Sequence, residues 1–448
     1  MTFVPRAHAA GYDTPMLYSA RNMGMGGTAI GYTDDPSSIF HNPAGLAQVK
    51  GGAVILDASP LLGTIKGSPG TPAENGTNIK SNTTFAPFFL VGAAYRVWDK
   101  LVAGFGVYPV ASAGASYDYS SVDKNGVKTS TFDFTKLAFI EFAPSLAYEI
   151  LPGLRLGVAY RAAMVEFTRY KMDTESKAGQ PDNKIAQLDM PMKGWNFEGF
   201  RVGLQYTYDR FDFGLVFRNK TRAVVEADHV IASTLPASSA TYQFVLPAKL
   251  GGGIHWRPTE DLRLALDVEY ALNSENWSTN LAGHTDIAGD VAIANISQWK
   301  NSLTARVGGG YKIGDLELRL GYAYDSQAAN GSYPSAFGTP PGPTMIFTGG
   351  VGYNISKNLD VSVAGAYRTG SGTAAADGKG CAFCGKAGDY EISLFGAYLD
   401  LRWRFGQPAA AQAATAVEPA PETAPAIAPA PAAAPAPGPE AAVEAPKA

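Results

Sequence analysis

No stretch of this chain approaches the ~18–20 consecutive apolar residues that a membrane-crossing helix needs, so helical spanning segments are excluded. Charge is also scarce: Asp, Glu, Lys and Arg make up 17% of the 448 residues and leave a net charge of −4. Soluble domains usually carry roughly 25%, and an almost neutral balance gives no footing for nucleic acid. Histidine occurs five times, at His8, His41, His229, His255 and His284. None falls with a serine and an acid into a nucleophile motif. No metal-ligand spacing or phosphate-cradling glycine loop is present either, which argues against an enzyme and against any cofactor. The two cysteines, Cys381 and Cys384, form a C-x-x-C in a glycine-rich loop. A thioredoxin-like site would need a βαβ context, and zinc would need two further ligands. A local disulfide in an oxidising compartment is what remains.

What is present is a rhythm of connections. Tight turns such as Trp98-Asp99-Lys100, Asp209-Arg210, Lys312-Ile313-Gly314-Asp315 and Ser356-Lys357-Asn358 alternate with long polar stretches. The latter fall near 62–83, 110–137, 172–193, 226–241, 274–297, 326–343 and 371–388. Between them lie about fourteen strand candidates, from 51–61 to 389–405. Up-and-down barrels of the bacterial outer membrane have short periplasmic turns and long external loops. The pattern therefore predicts an all-β, transmembrane, antiparallel up-and-down barrel of about 14 strands, with both termini in the periplasm.

Period-2 alternation assigns the faces. Leu316, Leu318, Leu320, Tyr322 and Tyr324 share one face, and Glu317, Arg319, Gly321, Ala323 and Asp325 the other. Leu262 to Tyr270 and Phe395 to Phe405 repeat the arrangement. Both signs of charge on the polar face suit a lumen. Trp98, Trp256, Trp277, Trp299 and Trp403 near strand ends suit interfacial girdles. Closing the barrel satisfies every edge, as hydrocarbon requires.

Four regions follow. Residues 1–9 read as the remnant of a signal peptide or as a disordered terminus, since Ala7-His8-Ala9 resembles a cleavage site with no apolar stretch before it. Residues 10–50 have little strand pattern and read as a plug, 51–405 as the barrel. Residues 406–448 are almost entirely Ala and Pro, lack core-forming bulk, and read as a disordered periplasmic tail. The tail is either a spacer or a contact for an unidentified periplasmic partner.

The motifs resemble a known family. Ser19-Ala20-Arg21-Asn22-Met23-Gly24-Met25-Gly26-Gly27, then Asp34-Asp35, then Asn42-Pro43-Ala44-Gly45-Leu46, is similar to the start of the FadL-type outer-membrane transporters of long-chain fatty acids and other hydrophobic compounds. Leu246-Pro247-Ala248-Lys249, Tyr270 to Trp277 and Gly321-Tyr322-Ala323-Tyr324-Asp325 add weaker matches. The resemblance implies a fourteen-stranded barrel with an N-terminal hatch in the lumen and no cofactor. It also implies a ligand captured at external loops, held in the lumen and released sideways near a kinked third strand. Asn42, Pro43 and Ala44 would then sit at the hatch gate; the alternative is a turn that merely closes the hatch. Gly104, Gly106 and Pro109 are candidates for the kink, although Pro109 could instead end its strand. Arg161, Lys300, Arg306 and Asp325 are candidate ligand contacts, against the alternative that lumenal charges pair among themselves. The partners implied are hydrophobic small molecules and outer-membrane lipid, with the protein a monomer. A general diffusion porin is the competing reading, and a barrel that anchors a working tail is another.

Overall fold

The computed structural model describes residue 13 and residues 15–68, 78–232, 235–276, 278–285, 289–333, 342–374 and 387–406. Fourteen strands form one closed antiparallel wall. The first is β1 (52–67), interrupted at Ser59-Pro60, and the second is β2 (79–96), interrupted at 81–83 and at Pro87-Phe88. Then come β3 (Leu101–Val122), β4 (Lys128–Leu151), β5 (Leu154–Ser176) and β6 (Asn183–Tyr208). Next are β7 (211–232), β8 (235–256), β9 (262–285) and β10 (289–313), each built of two or three segments. The last four are β11 (Leu316–Asp325), β12 (Thr344–Asn354), β13 (Leu359–Ala374) and β14 (Gly388–Phe405). Each strand pairs with its neighbour in sequence, and β1 closes the ring on β14, from Gly52↔Phe405 to Ala58↔Leu399. Pairing of β1 with β14 leaves neither terminal strand as a free edge.

Six connections are short, and three of them use left-handed backbone, at Gly153 (φ 82°), Asp209 (φ 50°) and Gly314 (φ 62°). The opposite end differs from the sequence expectation. Most of 110–137, 172–193, 226–241 and 274–297 is strand, not loop: β3 runs on to Val122, β4 starts at Lys128, β5 reaches Ser176 and β6 starts at Asn183. Ser, Thr, Tyr and Phe alternate in these stretches, and hairpin pairing satisfies their backbone as well above a bilayer as inside it. Polar composition was misleading because it tracks solvent, not secondary structure.

The predicted faces hold in the turn-proximal half. Leu318, Leu320, Leu266, Leu399 and Trp403 are exposed on the outside, while Glu317, Arg319, Asp267, Asp400 and Arg402 are buried inside. In the loop-proximal half the rule of a polar lumen fails. Leu137, Phe139, Val165, Phe167, Met190, Met192, Tyr242 and Phe244 point inward and pack together in one apolar core. Trp299 joins them, 2% exposed, and is not a girdle residue. It lies where β10 breaks between Ile296 and Ser302, so the chain turns it into the lumen. No helix among the described residues is long and apolar enough to cross a membrane.

The lumen is filled by the N-terminal hatch. It contains two single-turn helices, α1 (Ala20–Met23) and α2 (Ser38–His41), and a tight 3-10 segment, Pro43–Gln48. Met16, Tyr18, Met23, Ile39 and Leu46 are buried in the same core as the inward wall residues. The Ala/Pro segment and both cysteines lie outside the described residues.

Candidate functional site

The hatch is seated on a wall from which side chains have been removed. A Cβ at Gly203 of β6 would fall 1.9 Å from Asn42 Oδ1, and one at Gly157 of β5 would fall 2.2 Å from the carbonyl carbon of Pro43. Gly214 meets Ile30 O at 1.9 Å, Gly308 meets Met25 O at 2.0 Å, and Gly321 meets Gly26 N at 2.0 Å by the same measure. Glycine is required at such close backbone approaches.

Polar contacts then fix the register. The Asn42 amide donates to Ile30 O (2.9 Å), to Leu204 O of β6 (3.1 Å) and to Leu215 O of β7 (3.3 Å), while its Oδ1 accepts from Ala44 N (3.2 Å). Asn42 thus caps the Pro43–Gln48 turn and staples it to two strands. Asp267 accepts from Ala29 N (2.7 Å) and Ile30 N (2.9 Å), and Asp400 from Ser19 Oγ (2.7 Å) and Arg21 N (3.1 Å). On the turn-proximal side Arg21 and Arg402 share Asp34 and Asp35, and Arg402 and Arg404 share Asp360. Buried charges are tolerated when paired in this way.

The wall itself is interrupted beside the hatch. Pairing of β2 with β3 runs from Arg96↔Val102 to Val91↔Val107 and stops. Among the described residues the next backbone link between these strands is Asn82 N to Ser116 O, at 2.8 Å. The other segments of β2 pair only with β1. Facing this gap, β3 carries a bulge: Pro109 pairs with Ile140 and Ala111 with Phe139, leaving Val110 extra. Pro109 therefore does not end its strand. Its missing N–H removes a ladder bond on the side where β2 withdraws. Gly104 and Gly106 stay in regular pairing and instead make room for Ile39 and Leu46.

Four aromatic rings close the inside of the gap. Tyr18 meets Phe40 edge-on at 4.9 Å, Tyr108 at 6.1 Å and Phe88 at 6.0 Å, and its hydroxyl donates to Pro109 O. Arg201 lies over Phe40 at 5.1 Å and donates to Ile39 O at 2.9 Å. His41 Nε2 donates to Tyr18 O at 3.0 Å. Burial lowers the pKa of that imidazole to about 4, so it is neutral near pH 7.

Above the rings is a cavity lined by Asp13, Leu17, Ile30, Val110, Val216 and a set of charged groups. Arg201, Arg218, Lys249 and Arg306 provide four cations, and Asp13 and Glu269 two carboxylates. Arg306 pairs with Glu269, whereas Arg201 pairs with no carboxylate among the described residues.

The residues singled out in the sequence are distributed as follows. Arg306 lines the cavity; Arg161 is fully buried, inside the wall, on Glu141. Asp325 is buried and accepts from Thr304 Oγ1 at 2.7 Å, with Arg368 3.8 Å away. Lys300 is exposed and does not line the cavity. Asn42 and Pro43 lie against β5 to β7, and it is Ile39, Phe40 and Leu46 of the same segment that face β3. Sequence reasoning missed Arg201, Arg218, Lys249 and the inward Phe139, Phe167 and Phe244. A signal existed: 137–142 reads Leu-Ala-Phe-Ile-Glu-Phe, apolar on both faces, and a barrel strand with two apolar faces has one turned to lipid and one to the lumen.

Relatives agree with this architecture. A Pseudomonas aeruginosa FadL homologue superposes with a TM-score of 0.71 at 16% identity, covering 88% of this chain and 100% of that one. The Pseudomonas putida toluene transporter TodX gives 0.66 at 18%, and the Ralstonia pickettii toluene transporter TbuX 0.65 at 18%, each covering 88% of this chain and 99% of its own. At such identities the likeness speaks for the fold. A Neisseria meningitidis serogroup B protein named as an outer membrane protein, NMB0088, is 23% identical over 407 residues, 80% of this chain and 85% of that protein. The sequence from residue 4 to residue 391 matches the family described as outer membrane protein transport protein (OMPP1/FadL/TodX), and the chain belongs to that family.

Proposed function

We propose that this protein is a passive outer-membrane channel for hydrophobic molecules, which binds them in the lumen and releases them sideways between β2 and β3. One observation carries the reading: the barrel is plugged at its turn end and lined with apolar side chains above the plug. A water-filled pore needs neither, whereas a ligand that partitions into lipid needs both a dry binding site and an exit that avoids water. The ladder gap and the Val110 bulge support the exit. Tyr18, Phe40, Phe88 and Tyr108 stand between cavity and gap, with Asn42-Pro43-Ala44 holding the segment that carries Phe40. In this orientation the short turns face the periplasm, as do both termini, and the long hairpins collect ligand outside.

The excess of cations in the cavity favours an amphiphile with an acidic head, such as a fatty acid, over a neutral hydrocarbon. Arg201, Arg218, Lys249 and Arg306 share the cavity with Asp13 and Glu269, so a ligand carboxylate would meet a surplus of cations there. The test is organic extraction of the detergent-purified barrel followed by mass spectrometry. A stoichiometric fatty acid is expected; an empty barrel that conducts small ions in a planar bilayer would establish the porin instead.

A further inference from the structure

Asp13 lies in the cavity with its carboxylate between two cations of the wall. Arg218 grips it through both oxygens, at 3.1 and 2.5 Å, and Lys249 Nζ lies 3.0 Å from Oδ2. Arg218 and Lys249 are directly paired residues of β7 and β8, so the wall presents them as a fixed fork. A two-pronged guanidinium grip is the geometry in which carboxylates in general are recognised. The same residue does a second thing. Its backbone forms an isolated bridge to Ala111, the first residue of β3 after the Val110 bulge. Burial pushes the Asp13 carboxyl up, but Arg218 and Lys249 more than reverse this and leave it well below the usual carboxylate range.

We infer that Asp13 is an internal occupant of the lumen's carboxylate subsite, which a ligand's own carboxylate displaces, and that its displacement releases Ala111 and the bulge beside the wall gap. The inference rests on the uptake reading above and specifies its acidic ligand. The exchange is charge for charge: the fork keeps one carboxylate throughout, so no buried cation is left bare while Asp13 leaves. Among the described residues Asp13 has two holds to give up, the fork and the bridge, and they go together because one residue makes both. A neutral ligand of the same length has nothing to offer the fork and leaves the latch in place. Apparent affinity for the ligand is scaled down to the fraction of molecules in which Asp13 has left the site.

The test compares sodium dodecanoate with 1-dodecanol on the full-length protein in detergent, by calorimetry, in wild type and Asp13→Asn. Heat-modifiable migration verifies the folded barrel. Dodecanoate should bind the variant about tenfold more tightly, with dodecanol unchanged. Hydrogen exchange across residues 105–115 of the wild type should rise on saturation with dodecanoate and not with dodecanol. Equal shifts for both ligands would mean that Asp13 only braces the hatch. Unchanged or weaker dodecanoate binding by the variant, with wild type binding normally, would overturn the inference and leave the uptake reading standing. Exchange at 105–115 insensitive to dodecanoate would remove the link to the gap. Failure of wild type to bind either ligand would remove the uptake reading and the inference with it.

Discussion

At the scale of single residues, the hatch depends on a few polar atoms held where water cannot replace them. Asn42 is fully buried, and its amide serves three carbonyls on three separate segments. Truncation removes the two N–H groups that those three carbonyls share, at about 1 kcal/mol for each. Asn42→Ala should therefore weaken the hatch seat by about 2 kcal/mol and change the uptake rate, while the barrel keeps its heat-modifiable migration. Unchanged uptake kinetics would remove Asn42 from the gate. His41 makes a pH prediction of definite sign. The closed hatch holds it at about 4 against an ordinary 6.5, so an opened hatch binds the proton more readily. Stability of the closed form is complete above pH 6.5 and is lost as pH falls toward 4, by about tenfold in the closed-to-open ratio per pH unit. Amide exchange of residues 36–48, corrected for intrinsic rates, should show protection lower at pH 5 than at pH 7. His41→Gln should flatten the difference; a wild-type hatch equally protected at both values would rule the coupling out.

Strands decide where the wall can open. β3 is regular up to Val107, bulged at Val110 and regular again beyond Ala111, whereas its partner β4 is continuous across the same stretch. The extra residue bends β3 without disturbing the β3–β4 ladder on either side, so the irregularity is directed at β2. Deleting Val110 would let Pro109↔Ile140 and Ala111↔Phe139 follow each other without interruption. The variant should assemble as a stable barrel and lose uptake by roughly tenfold or more, since an uninterrupted ladder twists less and lies closer to its neighbours. Wild-type uptake by a folded Val110 deletion would show that the gap alone, without the bulge, suffices. Single prolines were ambiguous in the sequence because Pro109 fits both a strand end and a bulge; only the pairing partner beyond it distinguishes the two.

Considered whole, the molecule is a closed wall around a plug, and that division makes its own predictions. Removal of residues 10–47 takes away the ring closure at Tyr18 and Phe40 and the ion pairs of Asp34 and Asp35 with Arg402. The remaining wall is closed by its own ladders, so the variant should insert as a barrel and show steady ion conductance in a planar bilayer, where the intact protein conducts little. Equal conductance with and without the segment would favour the porin. Truncation after Gly406 tests the remaining alternative. A chain that works through its barrel should keep ligand binding and uptake, whereas one that uses the barrel as an anchor should keep binding and lose its function.

Sequence alone determined the things that repeat. The strand count, the six tight turns and the outward apolar face of residues 316–325 follow from a two-residue period that lipid enforces on every strand. The stretch from Ser19 to Leu46 was legible as a plug because glycines and polar residues replace that period. Tertiary structure decided what depends on a single neighbour. Which glycines seat the hatch, why Phe139 and Phe244 turn inward, where β2 leaves β3, and that Arg218 and Lys249 meet across two strands to hold Asp13 all rest on contacts between residues distant in the chain, such as Asp13 with Lys249 and Gly26 with Gly321. No local pattern encodes such pairs, because each is set by the register of a closed ring rather than by the residues beside it.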